Sequence, residues 1–190
     1  MATEKKTGTI VPARKETLMI GGIPQDAVFF RHPGEPGGWM SNWFLSPFTL
    51  DGTDFSSMEQ YIMVRKCRLF GDEALAAAVL RTDEPGEQRA IGRQVKNYQE
   101  VIWAGIRQAV AFRGLYAKFS QNEALKALLL GTGSAVIVEC VGIDAVWSCG
   151  FGLEDEERLD LSRWRGQNIL GFALMEVREA LRTEAGQART

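Results

Sequence analysis

One stretch constrains this chain more than any other. From Gln99 to Phe119 no proline interrupts about six turns' worth of helix. Ile102, Trp103, Ile106, Val110, Tyr116 and Phe119 fall mostly on one stripe of it. Asn97 is placed to cap its start. Gly105 and Gly114 inside it each cost about 1 kcal/mol against Ala, so close packing is the expected reason for both. With 190 residues the chain has the length of one domain. It can bury roughly 70% of its unfolded surface, enough for a core without staples.

Shorter helices surround this one. Ser56-Ser57 offers an N-cap for a helix from Met58 to Phe70 that stops at Gly71. Asp72 caps an alanine-rich helix to Leu80, Thr82 to Gly86 is a turn, and Glu87 to Lys96 is helical. Asn122 to Leu130 and an amphipathic segment from Gln167 to Arg182 complete the set. Strand signals are few: Val28-Phe29-Phe30, a hairpin of Phe48–Leu50 and Thr53–Phe55 about Asp51-Gly52, and the apolar run Ala135 to Val141. Asp144 to Gly152 is a loop, and Glu154 to Asp160 a solvated acidic excursion. The fold class is α+β, predominantly helical, with a few short strands and no alternating βαβ pattern. Residues 1–26 are expected to form a leader, partly ordered from Leu18 to Ile23. Residues 27–183 form the domain and residues 184–190 a frayed tail.

Composition removes several chemistries. The one histidine, His32, rules out a two-His zinc site, and any histidine-based triad would have to use it. It precedes Pro33 in a Gly/Pro-rich loop, where a solvated or hydrogen-bonded role is expected. Cys67, Cys140 and Cys149 are widely spaced, which argues against a disulfide framework and fits buried thiols in a reducing cytosol. The first residues lack the apolar core of a signal peptide, and no apolar run reaches the ~18 residues of a spanning helix. A soluble, cytoplasmic protein is expected. A net charge of −2 provides no general field for nucleic acid or membrane. Gly131-Thr132-Gly133 follows a helix and precedes a strand, the reverse of a dinucleotide-binding turn, and Val136 stands where a third glycine would be.

Few residues can carry chemistry. Glu59 and Lys66 are seven positions apart, so they share a helix face with Ile62 and Met63 between them. On an apolar face, desolvation shifts the pKa of a carboxylate and of an amine, and a desolvated lysine can attack a carbonyl. The structural alternatives are a capping-box carboxylate at Glu59 and a lysine that snorkels to water. Asp144 follows a buried strand, where either function or an Asx-turn fits. Trp39, Trp43, Trp147 and Trp164 lie in loops and serve either as core or as stacking faces. Arg89, Arg93, Lys96 and Arg107 form a scattered basic group, suited to a solvated face or a phosphate.

Taken in order, these segments resemble the NADAR, or YbiA-like, family. The resemblance rests on Ser41-Asn42-Trp43 with Pro47-Phe48, then Asp51-Gly52, Phe55, Ser57-Met58-Glu59-Gln60-Tyr61 and Lys66. Gly92-Arg93, Trp103, Lys118-Phe119 with Gln121-Asn122, and Leu128-Leu129 with Thr132 continue it. Glu139, Asp144 with Trp147, and Gly166-Gln167-Asn168, Leu170-Gly171, Leu174-Met175 and Arg178 complete it, so it covers residues 28–182. No single motif is specific; the ordered set is. Ser148 stands where the family usually has glycine, and the acidic stretch 154–160 is longer than in compact members, where it is expected near the pocket mouth.

The resemblance implies an N-glycosidase that cleaves a ribosyl C1–N bond. One family branch hydrolyses ribosylated riboflavin-pathway intermediates; another removes ADP-ribose from guanine in nucleic acid. The second is the expectation here, with a ribosyl or ADP-ribosyl substrate, including ADP-ribosylated single-stranded DNA, as partner. It implies Glu59, Lys66 and Asp144 as catalytic residues. Ser41, Asn42, Trp43, Tyr61, Arg93, Trp103, Trp147 and Asn168 are the implied substrate-binding residues. No cofactor, metal or membrane is expected. Charge building on the ribose calls for carboxylates near C1, and Lys66 opens a Schiff-base route. Extrusion of a base does not demand a basic surface. A non-catalytic ADP-ribose reader and a structural interaction protein are the other readings.

Overall fold

The computed structural model describes residues 7–187. Strands β1 (Lys15–Ile20) and β2 (Ile23–Phe30) form an antiparallel hairpin about Gly21-Gly22, whose φ values of 56° and 81° suit glycine. Residues 15–20 and 23–26 of the expected leader are thus regular strand, mostly exposed, which hides the pairing. The second half of β2, Ala27–Phe30, is buried throughout. Such a run belongs inside a sheet, and β5 (Val136–Glu139) lies parallel to it, Ala27 facing Val136 and Phe30 facing Glu139. The sheet order is β1-β2-β5.

The Asp51-Gly52 turn forms as its backbone preference predicts, with φ of 51° and 71° joining β3 (Phe48–Leu50) to β4 (Thr53–Phe55). Helices α1 (Met58–Leu69), α2 (Glu73–Val79) and α3 (Pro85–Gly92) follow, then α4 (Glu100–Gln121), α5 (Glu123–Gly131) and α6 (Ile169–Gln187). Helix dominates among the described residues, as the class requires. Several boundaries differ from expectation: α3 ends at Gly92 and not Lys96, and α6 starts at Ile169 and not Gln167. Proline at the first turn of α3 moves its start ahead of Glu87. Asn97 takes φ 56° and does not cap α4; Gln99 holds that position. Helix α6 continues through Glu184 to Gln187, where a frayed tail was expected; residues 188–190 lie outside the described residues. No helix of the described residues is long and apolar enough to cross a membrane.

The chain divides into two compact units. Among the described residues, the first holds 7–8 and Asn42–Asn122. Its aromatic cluster places Phe55 5.2 Å and Phe48 6.1 Å from Tyr61 between ring centroids. A Cβ on Gly114 would lie 2.5 Å from the Tyr61 ring, so this glycine does admit close packing of α4 on α1. Gly105 has nothing within 4 Å, and the expectation fails there. Lys118, on α4, is wholly buried, and burial pushes its pKa down to about 7.

The second unit holds Thr9–Ser41 and the chain from Glu123 onward. Its core gathers Leu18, Ala27, Phe29, Val138 and Phe151 around the free thiols of Cys140 and Cys149, whose sulfurs are 3.8 Å apart. A Cβ on Gly171 would sit 2.0 Å from the Ile137 carbonyl, so only glycine lets α6 approach β5 this closely. Arg178 ties α6 to the turn before β5, donating to Thr132 Oγ1 and the Ala135 carbonyl at 2.8 Å each. The acidic stretch is not a loose excursion. It contains a 3-10 turn (Glu156–Leu159), and Arg158 bonds Glu16 at 2.7 Å with its guanidinium 4.7 Å above Phe29. Arg31 holds Glu154 at 3.3 Å.

Candidate active site

The first turn of α1 assigns the capping work away from Glu59. Ser57 is the N-cap, its Oγ accepting from the Gln60 N–H at 3.1 Å. Gln60 reaches back, Oε1 accepting from the Ser56 N–H at 2.7 Å, while its Nε2 donates to the Val79 and Thr82 carbonyls. The capping-box alternative for Glu59 therefore falls, because the residue at the third helical position is Gln60.

Glu59 is instead a buried carboxyl, 7% exposed. Its backbone N–H donates to the Asn42 carbonyl at 2.9 Å, and the Trp43 indole N–H donates to its carboxylate. Burial pushes its pKa up to about 7, opposed by Arg89, the Trp43 bond, Lys66 and Arg93. Lys66 is 8% exposed, so it does not snorkel. Burial lowers its pKa, Arg93 and Arg89 push the same way, and Cys67 and Glu59 oppose them. Its Nζ lies 5.8 Å from the centre of the Tyr98 ring. A carboxyl poised near neutrality and a depressed lysine on one helix face are equipped to move protons and to attack a carbonyl carbon.

Asn42 adds an unusual feature. Its Oδ1 is buried without a hydrogen-bond partner among the described residues. An orphaned acceptor costs about 1–3 kcal/mol, and a bound hydroxyl would satisfy it. Arg89 lies over the Trp43 ring, 6.0 Å from its centre, and Arg93 is exposed one turn further on. Asn42, Trp43, Glu59, Lys66 and Arg93 thus belong to one unit, and electrostatics link all but Asn42.

Tyr61 and Trp103 share that unit but not that cluster. Tyr61 lies about 200° around α1 from Glu59, and its ring packs with Phe48, Phe55 and Gly114. Trp103 is buried on α4, with no side-chain hydrogen bond or ring contact to Glu59, Lys66 or Trp43 among the described residues. Lys118 carried no role from the sequence beyond its place in the family pattern. Its signal was position: it follows Ala111 and Leu115 along one helical face of α4.

The remaining candidates lie in the second unit. Asp144 Oδ1 accepts from the Val146 and Trp147 N–H groups at 2.9 Å each, the local turn that aspartate favours. Trp147 is half-buried, and its carbonyl accepts from the Leu170 N–H at 3.1 Å. Ser148, the departure from the family's glycine, is buried and latches this loop. Its Oγ accepts from the Val141 N–H at 2.7 Å and donates to the Glu139 carbonyl at 2.9 Å. Asn168 takes φ 49° and is fully buried; Oδ1 accepts from the Glu139 N–H at 3.0 Å and Nδ2 donates to the Ile137 carbonyl at 2.9 Å. It therefore holds the start of α6 to β5. Ser41 is buried at the end of the 3-10 turn Gly38–Met40.

Known proteins share this pattern. The NADAR domain model matches residues 28–182. An N-glycosidase of Acanthamoeba polyphaga mimivirus is 34% identical over 144 residues, 73% of this chain and 85% of that protein. The N-glycosidase YbiA of Escherichia coli is 31% identical over 175 residues, 92% of this chain and 99% of its own. A riboflavin biosynthesis protein of Vibrio vulnificus is 31% identical over 163 residues, which are 86% of this chain but 41% of that protein. The solution structure of Escherichia coli YbiA superposes with a TM-score of 0.68 at 30% identity, covering 86% of this chain and 89% of that one.

Proposed function

Since the chain belongs to the NADAR domain family, we propose that it is an N-glycosidase that hydrolyses a ribosyl C1–N bond, and that its substrate is ADP-ribosylated guanine. The observation that carries the reading is the buried Glu59 carboxyl, held by the Trp43 indole and poised near pH 7, with Lys66 on the same face of α1. In the direct route the C1–N bond breaks with its electron pair passing to the base nitrogen. Protonated Glu59 supplies the proton that nitrogen takes up. Water adds to C1 and releases its own proton, restoring the balance. In the covalent route neutral Lys66 displaces the base at C1; ring opening then gives a Schiff base that water hydrolyses. The Asn42 Oδ1 acceptor suits a ribose hydroxyl. The family resemblance adds Asp144 as a second carboxylate for the developing sugar cation.

The test is incubation with single-stranded DNA carrying ADP-ribosylated guanine and, in parallel, with a ribosylaminopyrimidine intermediate. Release of free ADP-ribose from the DNA is expected. Cleavage of the pyrimidine alone moves the function to the second reading, which the name of the Vibrio relative favours. Cleavage of neither overturns both.

A further inference from the structure

The Lys66 amine is buried, yet it makes no hydrogen bond or ion pair with any described residue. Lysine carries its charge on a flexible four-carbon stem, so a reactive amine needs something to hold it. One side chain faces it directly. The amine lies 5.8 Å from the centre of the Tyr98 ring, within the roughly 6 Å over which a ring attracts a cation.

Tyr98 lies on the connection between α3 and α4, just after Asn97 with its left-handed backbone. It is 40% exposed, so core packing alone does not fix it. Its neighbours do. Phe70, the C-cap of α1, meets the ring edge-on at 5.3 Å between centroids. The Tyr98 hydroxyl donates to Glu100. Arg107, two turns along α4, donates to the other oxygen of that carboxylate at 2.8 Å. The Arg107 side chain is 8% exposed against 61% for Glu100. A buried guanidinium thus moors an exposed carboxylate, and the carboxylate moors the phenol. Burial and the Glu100 bond push the Tyr98 pKa up to about 12, so the hydroxyl remains a donor across the neutral range.

A ring beside an amine acts in two ways. Its face attracts the charged form, and its bulk excludes the water that would solvate that form. The attraction is weak at 5.8 Å, close to the limit of its reach. Burial is the largest influence on Lys66 and lowers its pKa. Arg93 and Arg89 at α3 act the same way, while Cys67 and Glu59 on α1 oppose them. Exclusion of water therefore outweighs attraction, and the ring favours the neutral amine.

We propose that Tyr98, moored through Glu100 to Arg107, is a positioning residue for Lys66: its ring confines the amine and keeps water from it, so that the amine meets the substrate carbon uncharged. This deepens the N-glycosidase reading and rests on its covalent route. Tyr98 acts through Lys66 and touches no reacting atom.

Nuclear magnetic resonance titration of the Lys66 side chain tests this without substrate, in the full chain labelled with carbon-13 lysine and assigned with Lys66→Arg. In Tyr98→Leu the titration midpoint is expected to rise, leaving at least about fivefold less neutral amine at pH 7. Tyr98→Phe keeps the ring and loses the tether, and Glu100→Ala loses the tether alone; each is expected to raise the midpoint by less. In turnover, Tyr98→Leu lowers kcat by a similar factor at pH 7 with KM near wild type, and a higher pH restores it, which a merely structural defect does not allow. An unmoved or lowered midpoint in Tyr98→Leu overturns the proposal. Should Tyr98→Leu not fold, Glu100→Ala decides, and an unmoved midpoint there overturns it equally. If wild type cleaves no ribosyl substrate, or Lys66→Ala keeps full activity, the N-glycosidase reading or its covalent route fails, and the titration still decides whether Tyr98 governs Lys66.

Discussion

The α1 face and the Asp144–Asn168 segment use polar side chains in opposite ways. Glu59 and Lys66 are buried with charge that burial penalises, and neither side chain serves the backbone. Asp144, Ser148 and Asn168 are engaged in backbone hydrogen bonds that shape a loop and fasten α6 to β5. A protein tolerates the first arrangement where chemistry requires it, because it costs stability. The second arrangement stabilises, so its residues can matter to activity without touching substrate.

The largest effect expected is at Glu59. Glu59→Gln keeps the shape and removes the titrating proton, so the rate should fall at least about 100-fold; a change below about threefold removes Glu59 from the mechanism. Its stability should move the other way. The pKa of Glu59 is raised from 4.5 to about 7, so its contribution is full below pH 4.5 and is lost as pH rises through 7. Thermal denaturation should find Glu59→Gln more stable than wild type above pH 7, with the gap closing toward pH 4.5. Lys66→Ala distinguishes the two routes. If the covalent route operates, borohydride under turnover traps an adduct in wild type and none in Lys66→Ala, whose rate falls about as far as that of Glu59→Gln. An active, untrappable pair of proteins ends that route.

In the other region the comparison can be broken residue by residue. Asp144→Asn retains an Oδ1 acceptor for the Val146 and Trp147 N–H groups but not the charge. A rate loss of about tenfold with unchanged melting temperature would show that the charge acts as well as the turn. An unchanged rate makes loop shaping its whole role. Asn168→Ala leaves the Glu139 N–H and Ile137 carbonyl without that partner, each worth about 1–3 kcal/mol when buried. Denaturant unfolding should register this loss, while the folded fraction retains its turnover. His32→Ala is the smallest: this exposed loop residue should change neither rate nor stability beyond about 0.5 kcal/mol.

What the sequence determined alone is local. The Asp51-Gly52 hairpin, the Ser57 cap, the Asp72 cap and the stop at Gly71 depend on residues within a few positions of one another, and the structure has all of them. The shared face of Glu59 and Lys66 follows from helical spacing in the same way. Long-range packing decided the rest. The parallel pairing of β2 with β5 joins segments separated by most of the chain. The burial of Gln60 is likewise long-range, its amide donating to the Val79 and Thr82 carbonyls. Tyr61 became core because β3, β4 and α4 meet on its side of α1. Residue type and spacing say which groups can do chemistry; whether a polar group is left to do it depends on which backbone N–H and carbonyl groups the fold brings within its reach.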